Sequence, residues 1–168
     1  MDKAEMIWHT YRRLMYAIAL SSLGNEQDAE DAVSDAMERI LRNLDCFDEV
    51  PSPRARNLCA VIVRNLCRDR IRRKNASPFA ETEAEEEDAP PAPSAENVWL
   101  SAETADGVRR CLCMIPEAYA DILRLRMAND CTMREIAGIL GISEQNARTR
   151  LSRARTALLN KLREEGVL

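Results

Sequence analysis

Residues Thr132 to Arg163, TMREIAGILGISEQNARTRLSRARTALLNKLR, read as two helices joined by a tight turn. Thr132 followed three residues later by Glu135 is a capping box, so a helix is expected to start there. Ile136, Ala137, Ile139 and Leu140 supply a short apolar face, and Gly141 stands where a helix end needs a left-handed turn. Ser143 is a second N-cap, and the chain then runs without Gly or Pro to Glu165. In that second helix Ala147, Leu151, Ala154, Leu158 and Leu162 recur at helical spacing and predict one buried stripe. Arg148, Thr149, Arg150, Ser152, Arg153 and Arg155 take the other faces, with no acid between Gln145 and Arg163. A short helix, a turn containing Gly and a basic second helix form the helix-turn-helix pattern, whose second helix enters the DNA major groove. The competing reading is an ordinary helical hairpin with a solvated basic face.

Around this stretch the composition predicts an all-α protein. The 168 residues hold only five Gly, aromatics make up 4%, and Ala, Leu, Arg and Glu are abundant. The hydrophobic fraction of 46% is enough to fill cores. A net charge of −4 argues against nucleic acid only until its distribution is considered. Arg54–Lys74 carries eight basic residues and one acid, whereas Glu26–Glu38 carries six acids and no base. Separate basic and acidic surfaces follow.

No apolar run approaches a membrane span and the N-terminus lacks a signal-peptide stretch, so a cytoplasmic protein is expected. Cys46, Cys59, Cys67, Cys111, Cys113 and Cys131 are then expected as thiols, four of them (Cys59, Cys67, Cys111, Cys131) as small residues in or beside apolar helical patterns. Cys111-Leu-Cys113 is too closely spaced for a common zinc knuckle, and neither a metal site nor a cofactor is expected. His9 is the only histidine, and general acid–base chemistry would need a partner that the pattern does not supply. With no Ser–His or Cys–His constellation and no phosphate-binding Gly loop, no catalytic residue is assigned and an enzyme is not expected.

Taken in order, a first helix is expected from about Ala4 to Leu23, burying Ile7, Tyr11, Leu14, Met15 and Ile18. Asn25 can cap a second, Glu26 to Leu44, burying Ala29, Val33, Ala36, Met37, Ile40, Leu41 and Leu44. Acids in its first turn suit the helix dipole, but Asp35 and Glu38 lie beyond that turn and suggest a docking face for a basic partner. Ser52-Pro53 opens a third helix to about Lys74, apolar at Leu58, Cys59, Ile62, Val63 and Leu66. Its end, RNLCRDRIRRK, would repel itself unless something anionic neutralised it, which points to a phosphate-tracking surface. Residues 76–96 are acidic, Pro-rich and short of large apolar groups, and read as a mobile linker between two domains, 1–75 and 97–168. The second domain is expected to pack Trp99, Leu100, Val108 and Leu112 from one helix. A helix from Pro116 adds Tyr119, Ile122, Leu123, Leu125 and Met127 ahead of the helix-turn-helix.

Three blocks in this order, DAEDAVSDAMERIL at Asp28–Leu41, RNLCRDRIRR in the third helix and Thr132–Arg155, resemble bacterial sigma factors of the extracytoplasmic-function type, the sigma-70-like group four. The resemblance implies a three-helix sigma region two and a four-helix sigma region four joined by a flexible acidic linker. It implies that Asp28, Glu30, Asp31, Asp35 and Glu38 dock on core RNA polymerase. It assigns Arg64, Asn65, Arg68, Asp69, Arg72 and Arg73 to the minus-ten element of promoter DNA. The loop Phe47–Arg54 would capture a base flipped from the melted non-template strand, with Phe47 and Arg54 contributing. Arg148, Thr149, Ser152 and Arg153 would meet the duplex minus-thirty-five element, while Arg150 and Arg155 hold backbone or pack locally. An anti-sigma factor is an implied partner, and a monomer is expected when free. Two positions depart from the family pattern. Leu58 stands where a Trp is usual, leaving Phe47 as the nearest aromatic, and Asn146-Ala147 replaces the usual Thr-Val. Competing readings are a dimeric helix-turn-helix regulator acting without polymerase, and a helical adaptor that never touches DNA. The first leaves the acidic and basic helices without a role, and the clustered arginines speak against the second.

Overall fold

The structure, a computed structural model, describes residues 1–76 and 102–168, without the side chains of 102 and 103. Trp99, Leu100 and most of the expected linker therefore lie outside the described residues. Seven α-helices and no strand are present among the described residues.

Helix α1 (Lys3–Leu23) begins at a capping box that the sequence reading did not use. The Asp2 carboxylate accepts from Glu5 N at 2.8 Å and the Glu5 carboxylate from Asp2 N at 3.1 Å. Gly24, at φ 78°, ends it in the left-handed region. Asn25 caps α2 (Glu26–Arg42) by accepting from Asp28 N. This helix stops short of the expected Leu44. The Asn43 N–H bonds to Ile40 O, the Asn43 amide donates to Arg39 O, and Leu44–Cys46 winds on as a 3-10 turn. Leu41, expected inside, is 51% exposed, because the buried row Ala29, Val33, Ala36, Ile40 leaves it a further ~100° around the helix. Met37 and Leu44 are half-buried at its margin.

Ser52 caps α3 (Pro53–Asn75) with Pro53 at its first position. The Tyr11 hydroxyl donates to Ser52 O at 3.1 Å and accepts from Ser52 N at 3.0 Å, fastening α1 to the start of α3. Helices α1, α2 and α3 pack against one another as the first unit. The second unit is α4 (Ala102–Met114), α5 (Glu117–Met127, with Pro116 at its cap), α6 (Met133–Leu140) and α7 (Glu144–Glu164), gathered around α7. Met127, expected inside, ends α5 61% exposed. The expected helix-turn-helix features are all present. Thr132 and Glu135 form a capping box, Gly141 has φ 67°, Ser143 caps α7, and Ala147, Leu151, Ala154, Leu158 and Leu162 are buried.

The two units also pack on each other: α3 meets α5 and α6, and α2 meets α6. The middle of α3 is accordingly buried almost all round, with Leu58, Cys59, Ala60, Val61, Ile62 and Val63 buried in succession. A helix apolar on every face has to be covered on every face.

Candidate nucleic-acid interface

On α7 the buried stripe faces α5, α6 and α4, so the intervening positions turn outward. Arg148 is exposed one turn after the Ser143 cap, its guanidinium 3.3 Å from the Glu144 carboxylate. Thr149, Arg150, Ser152, Arg153 and Arg155 are partly exposed along the same helix. In its first turn the capped N-terminus presents Glu144, Gln145 and Asn146 to solvent. This is a cationic helix with Arg, Thr and Ser side chains turned outward near its start, the kind of layout with which a recognition helix enters a major groove.

The basic end of α3 is arranged differently. Arg72 and Arg73 are exposed, with Arg72 3.5 Å from Asp69. Arg70 pairs with Asp35 of α2, and Lys74 pairs with Asp28. These pairs supply part of the neutralisation that the clustered bases require. They also change the meaning of the acidic helix. Asp28 and Asp35 bind α2 to α3, and of the five expected docking acids Glu30, Asp31 and Glu38 are exposed, Glu38 in a pair with Arg42. Asn25 first and Lys74 second hold the Asp28 carboxylate below its usual range.

Arg64, Asn65 and Arg68 turn toward the second unit. Arg64 Nη2 lies 2.9 Å from Asp121 Oδ1 and Arg68 Nη1 lies 3.0 Å from Asp121 Oδ2. Arg124 completes the cluster at 3.1 Å, and Glu117 stands at its edge, 3.3 Å from Arg64 Nε. Asp121 has no exposed surface. A carboxylate so deeply buried is tolerable because three guanidiniums surround it. Asn65, 4% exposed, donates from Nδ2 to Leu140 O at 2.8 Å, taking up a carbonyl orphaned at the C-terminus of α6. Arg39 lies over Gly141 at the same helix end, where a cation is favoured. Burial pushes the Arg39 guanidinium below its ordinary value, against the pull of Asp69 and Asp35.

Phe47 is a correction. Expected to stack on a flipped base, it has no exposed surface and belongs to the core. Arg54, expected at the other end of that loop, lies in the first turn of α3 and pairs with Asp48. Leu58, in the place of the usual Trp, is likewise wholly buried. Asp121, Asn43 and Gly138 were missed by sequence reasoning, which set Arg39 beside the acidic face of α2 and not against Gly141. The uninterrupted apolar run Leu58–Val63 was the available signal that α3 is covered on a second side. Burial raises the thiols of Cys59, to about 12, and Cys46, to about 11, consistent with neutral core residues. All six cysteines are free, with Cys113 alone exposed.

Residues 7–77 match the family described as Sigma-70 region 2, and residues 105–158 match Sigma-70, region 4. The ECF RNA polymerase sigma factor SigM of Mycobacterium tuberculosis (strain H37Rv) is 30% identical over 161 residues, 94% of this chain and 76% of its own length. This chain belongs to the ECF RNA polymerase sigma factors. SigW of Bacillus subtilis (strain 168), another member, is 26% identical over 162 residues, 92% of this chain and 86% of its own. Among solved structures, the sigma factor RpoE of Bartonella quintana, crystallised with the anti-sigma factor NepR, aligns with a TM-score of 0.40 at 18% identity. That alignment covers 93% of this chain and 94% of the other. As a sigma factor, the chain directs promoter recognition and transcription initiation. Helices α1–α3 are its region 2, and α4–α7 hold its region 4.

Proposed function

We propose that three surfaces of this sigma factor divide the work of initiation. The exposed carboxylates Glu30, Asp31 and Glu38 of α2 dock on core RNA polymerase. Arg64, Asn65, Arg68, Asp69, Arg72 and Arg73 of α3, with Arg54, meet the melted non-template strand at the minus-ten element; Arg72 and Arg73 are exposed, and Arg64, Asn65 and Arg68 are engaged by the second unit in this structure. On α7, Arg148, Thr149, Ser152 and Arg153 read the minus-thirty-five duplex, and Arg150 and Arg155 grip its backbone. The observation that carries this reading is the outward basic face of α7, set on a capped helix whose other face is wholly buried.

Asp28 and Asp35 serve this arrangement indirectly, by fixing α2 against α3. No chemistry is assigned to the chain itself; bond formation belongs to the polymerase. The partners are core polymerase and promoter DNA, with an anti-sigma factor as the regulatory partner, and the place of action is the cytoplasm. No helix among the described residues is long and apolar enough to cross a membrane.

Run-off transcription tests the reading. Promoters are first selected from genomic DNA with core polymerase plus this chain, and transcripts are then measured with each component omitted. Defined transcripts are expected only with both present. Promoter binding by the chain alone, with no transcript on adding core polymerase, would favour the dimeric regulator instead.

A further inference from the structure

Along the C-terminal half of α3, its packing with α2 leaves a cleft of about 340 Å³. Four cations line it, Arg39 from α2 and Arg70, Arg73 and Lys74 from α3, with Asp35 and Asp69 among them. Of this lining only Asp69 and Arg73 belong to the minus-ten set. Lys74 pairs with Asp28, Arg70 with Asp35 and Asp69 with Arg72, which leaves Arg39 and Arg73 as the excess charge. Two donors are also left over: Arg39 Nη1 and Arg70 Nε are buried and have no hydrogen-bond partner among the described residues. Each guanidinium is positioned at another nitrogen, Nη2 of Arg39 over Gly141 and Nη2 of Arg70 on Asp35. Buried N–H groups of a cation cost free energy until an acceptor meets them. Burial lowers the Arg39 guanidinium from its ordinary value, and Arg42 and Arg73 push the same way against Asp69 and Asp35. Arg73 and Lys74 are exposed at the rim of the cleft, and Leu66 is buried at its floor.

We propose that this cleft is a phosphate-binding site, filled by a phosphate group of a free diphosphate-type compound or of a DNA strand. It stands apart from the assignment of Arg64, Asn65 and Arg68 to the melted strand, since none of the three lines the cleft. A phosphate suits the cleft in its donors, its charge and its size. Guanidinium groups match phosphate oxygens, and one phosphate carries enough of them to meet Arg39 Nη1 and Arg70 Nε separately. The excess of two cations matches the double charge of a phosphate monoester or a diphosphate. An apolar ligand would leave both buried donors unpaired. The volume lies at the small end of ligand sites, which suits a compact anion. Bound there, the anion ties Arg39 of α2 to Arg70 and Arg73 of α3, so occupancy stabilises the packing of the two helices by mass action.

Inorganic pyrophosphate is the probe for the free compound, titrated by calorimetry into the full chain against sodium chloride of matched ionic strength. One saturable site and a higher melting temperature are expected. Arg39→Glu sets an anion at the inner wall and Arg73→Glu one at the rim, and each is expected to weaken pyrophosphate binding about tenfold or more. Arg13→Glu, at an exposed position of α1 outside the cleft, makes the same change in net charge and is expected to leave binding unaltered. Circular dichroism reports folding, and if Arg39→Glu fails to fold, Arg73→Glu carries the test. For the strand source, core polymerase assembled with this chain is titrated with a short labelled single-stranded DNA of mixed sequence, followed by fluorescence anisotropy. Co-purification with core polymerase confirms that each variant assembles. Arg39→Glu weakening pyrophosphate and strand alike makes a strand phosphate the occupant, and a loss confined to pyrophosphate makes it a free compound. Absence of saturable pyrophosphate binding, or an equal loss in Arg13→Glu, would overturn the site. The strand assignment of α3 is tested separately by Arg64→Ala.

Discussion

Single side chains carry the code in this account, and α7 shows how. Arg148 and Arg153 are five apart and point about 140° away from each other, so they cannot serve one base. Arg148 with Ser152, and Thr149 with Arg153, each share a face, which lets two adjacent faces straddle a groove. Arg148→Ala is expected to cost roughly 1–3 kcal/mol and to relax specificity at one base pair. Arg155→Ala is expected to weaken every sequence alike and to reduce the salt dependence. Binding of the full chain to a selected upstream duplex and its single-base variants, at several salt concentrations, separates the two. On α2 the same logic divides acids that looked equivalent. Asp31 is exposed on α2, so Asp31→Lys should weaken co-purification with core polymerase while leaving thermal stability unchanged. Asp35 pairs with Arg70, so Asp35→Lys sets a cation against a cation and should lower stability as well. A pull-down unaffected by Asp31→Lys would reduce that face to a solvated helix surface.

At the scale of elements, helix ends were the most readable features because their chemistry is local. Thr132 and Glu135 cap each other three residues apart, Gly141 bonds back to Ala137 O, Ser143 accepts from Asn146 N, and the structure shows each in its expected role. Thr132→Ala is expected to destabilise by about 1 kcal/mol. The Thr132 backbone N–H is the main reason that the Glu135 carboxylate is held below its ordinary value. Its stabilisation is thus complete above the usual carboxylate range and lost as pH falls through the lowered folded-state value. Acid titration of stability should show a shallower loss in Glu135→Gln than in wild type across that window; equal slopes would remove Glu135 from the balance. Burial was less readable. Leu41 and Met127 look like core residues by type, but Leu41 lies off its helix's stripe and Met127 ends α5, and both are exposed. Phe47 fills the core although an aromatic beside a strand-binding loop suggests stacking. Such outcomes depend on what packs opposite, which no local pattern records.

Across the whole molecule, the division into two helical units could be read from periodicity and from the acidic stretch between them, but their contact could not. Asp121 looks like an ordinary surface acid on α5 until Arg64 and Arg68, more than fifty residues earlier, are placed around it. Long-range ion pairs leave no periodic trace. The central claim is that one chain combines polymerase docking, duplex reading and strand opening, and permanganate probing of unpaired thymines tests it most directly. With core polymerase and this chain together on a selected promoter, reactive thymines are expected in the minus-ten region, downstream of a protected upstream element. They should be absent when either component is left out, and depleted with Arg64→Ala. Upstream protection by the chain alone, with no reactive thymines on adding polymerase, would contradict the account.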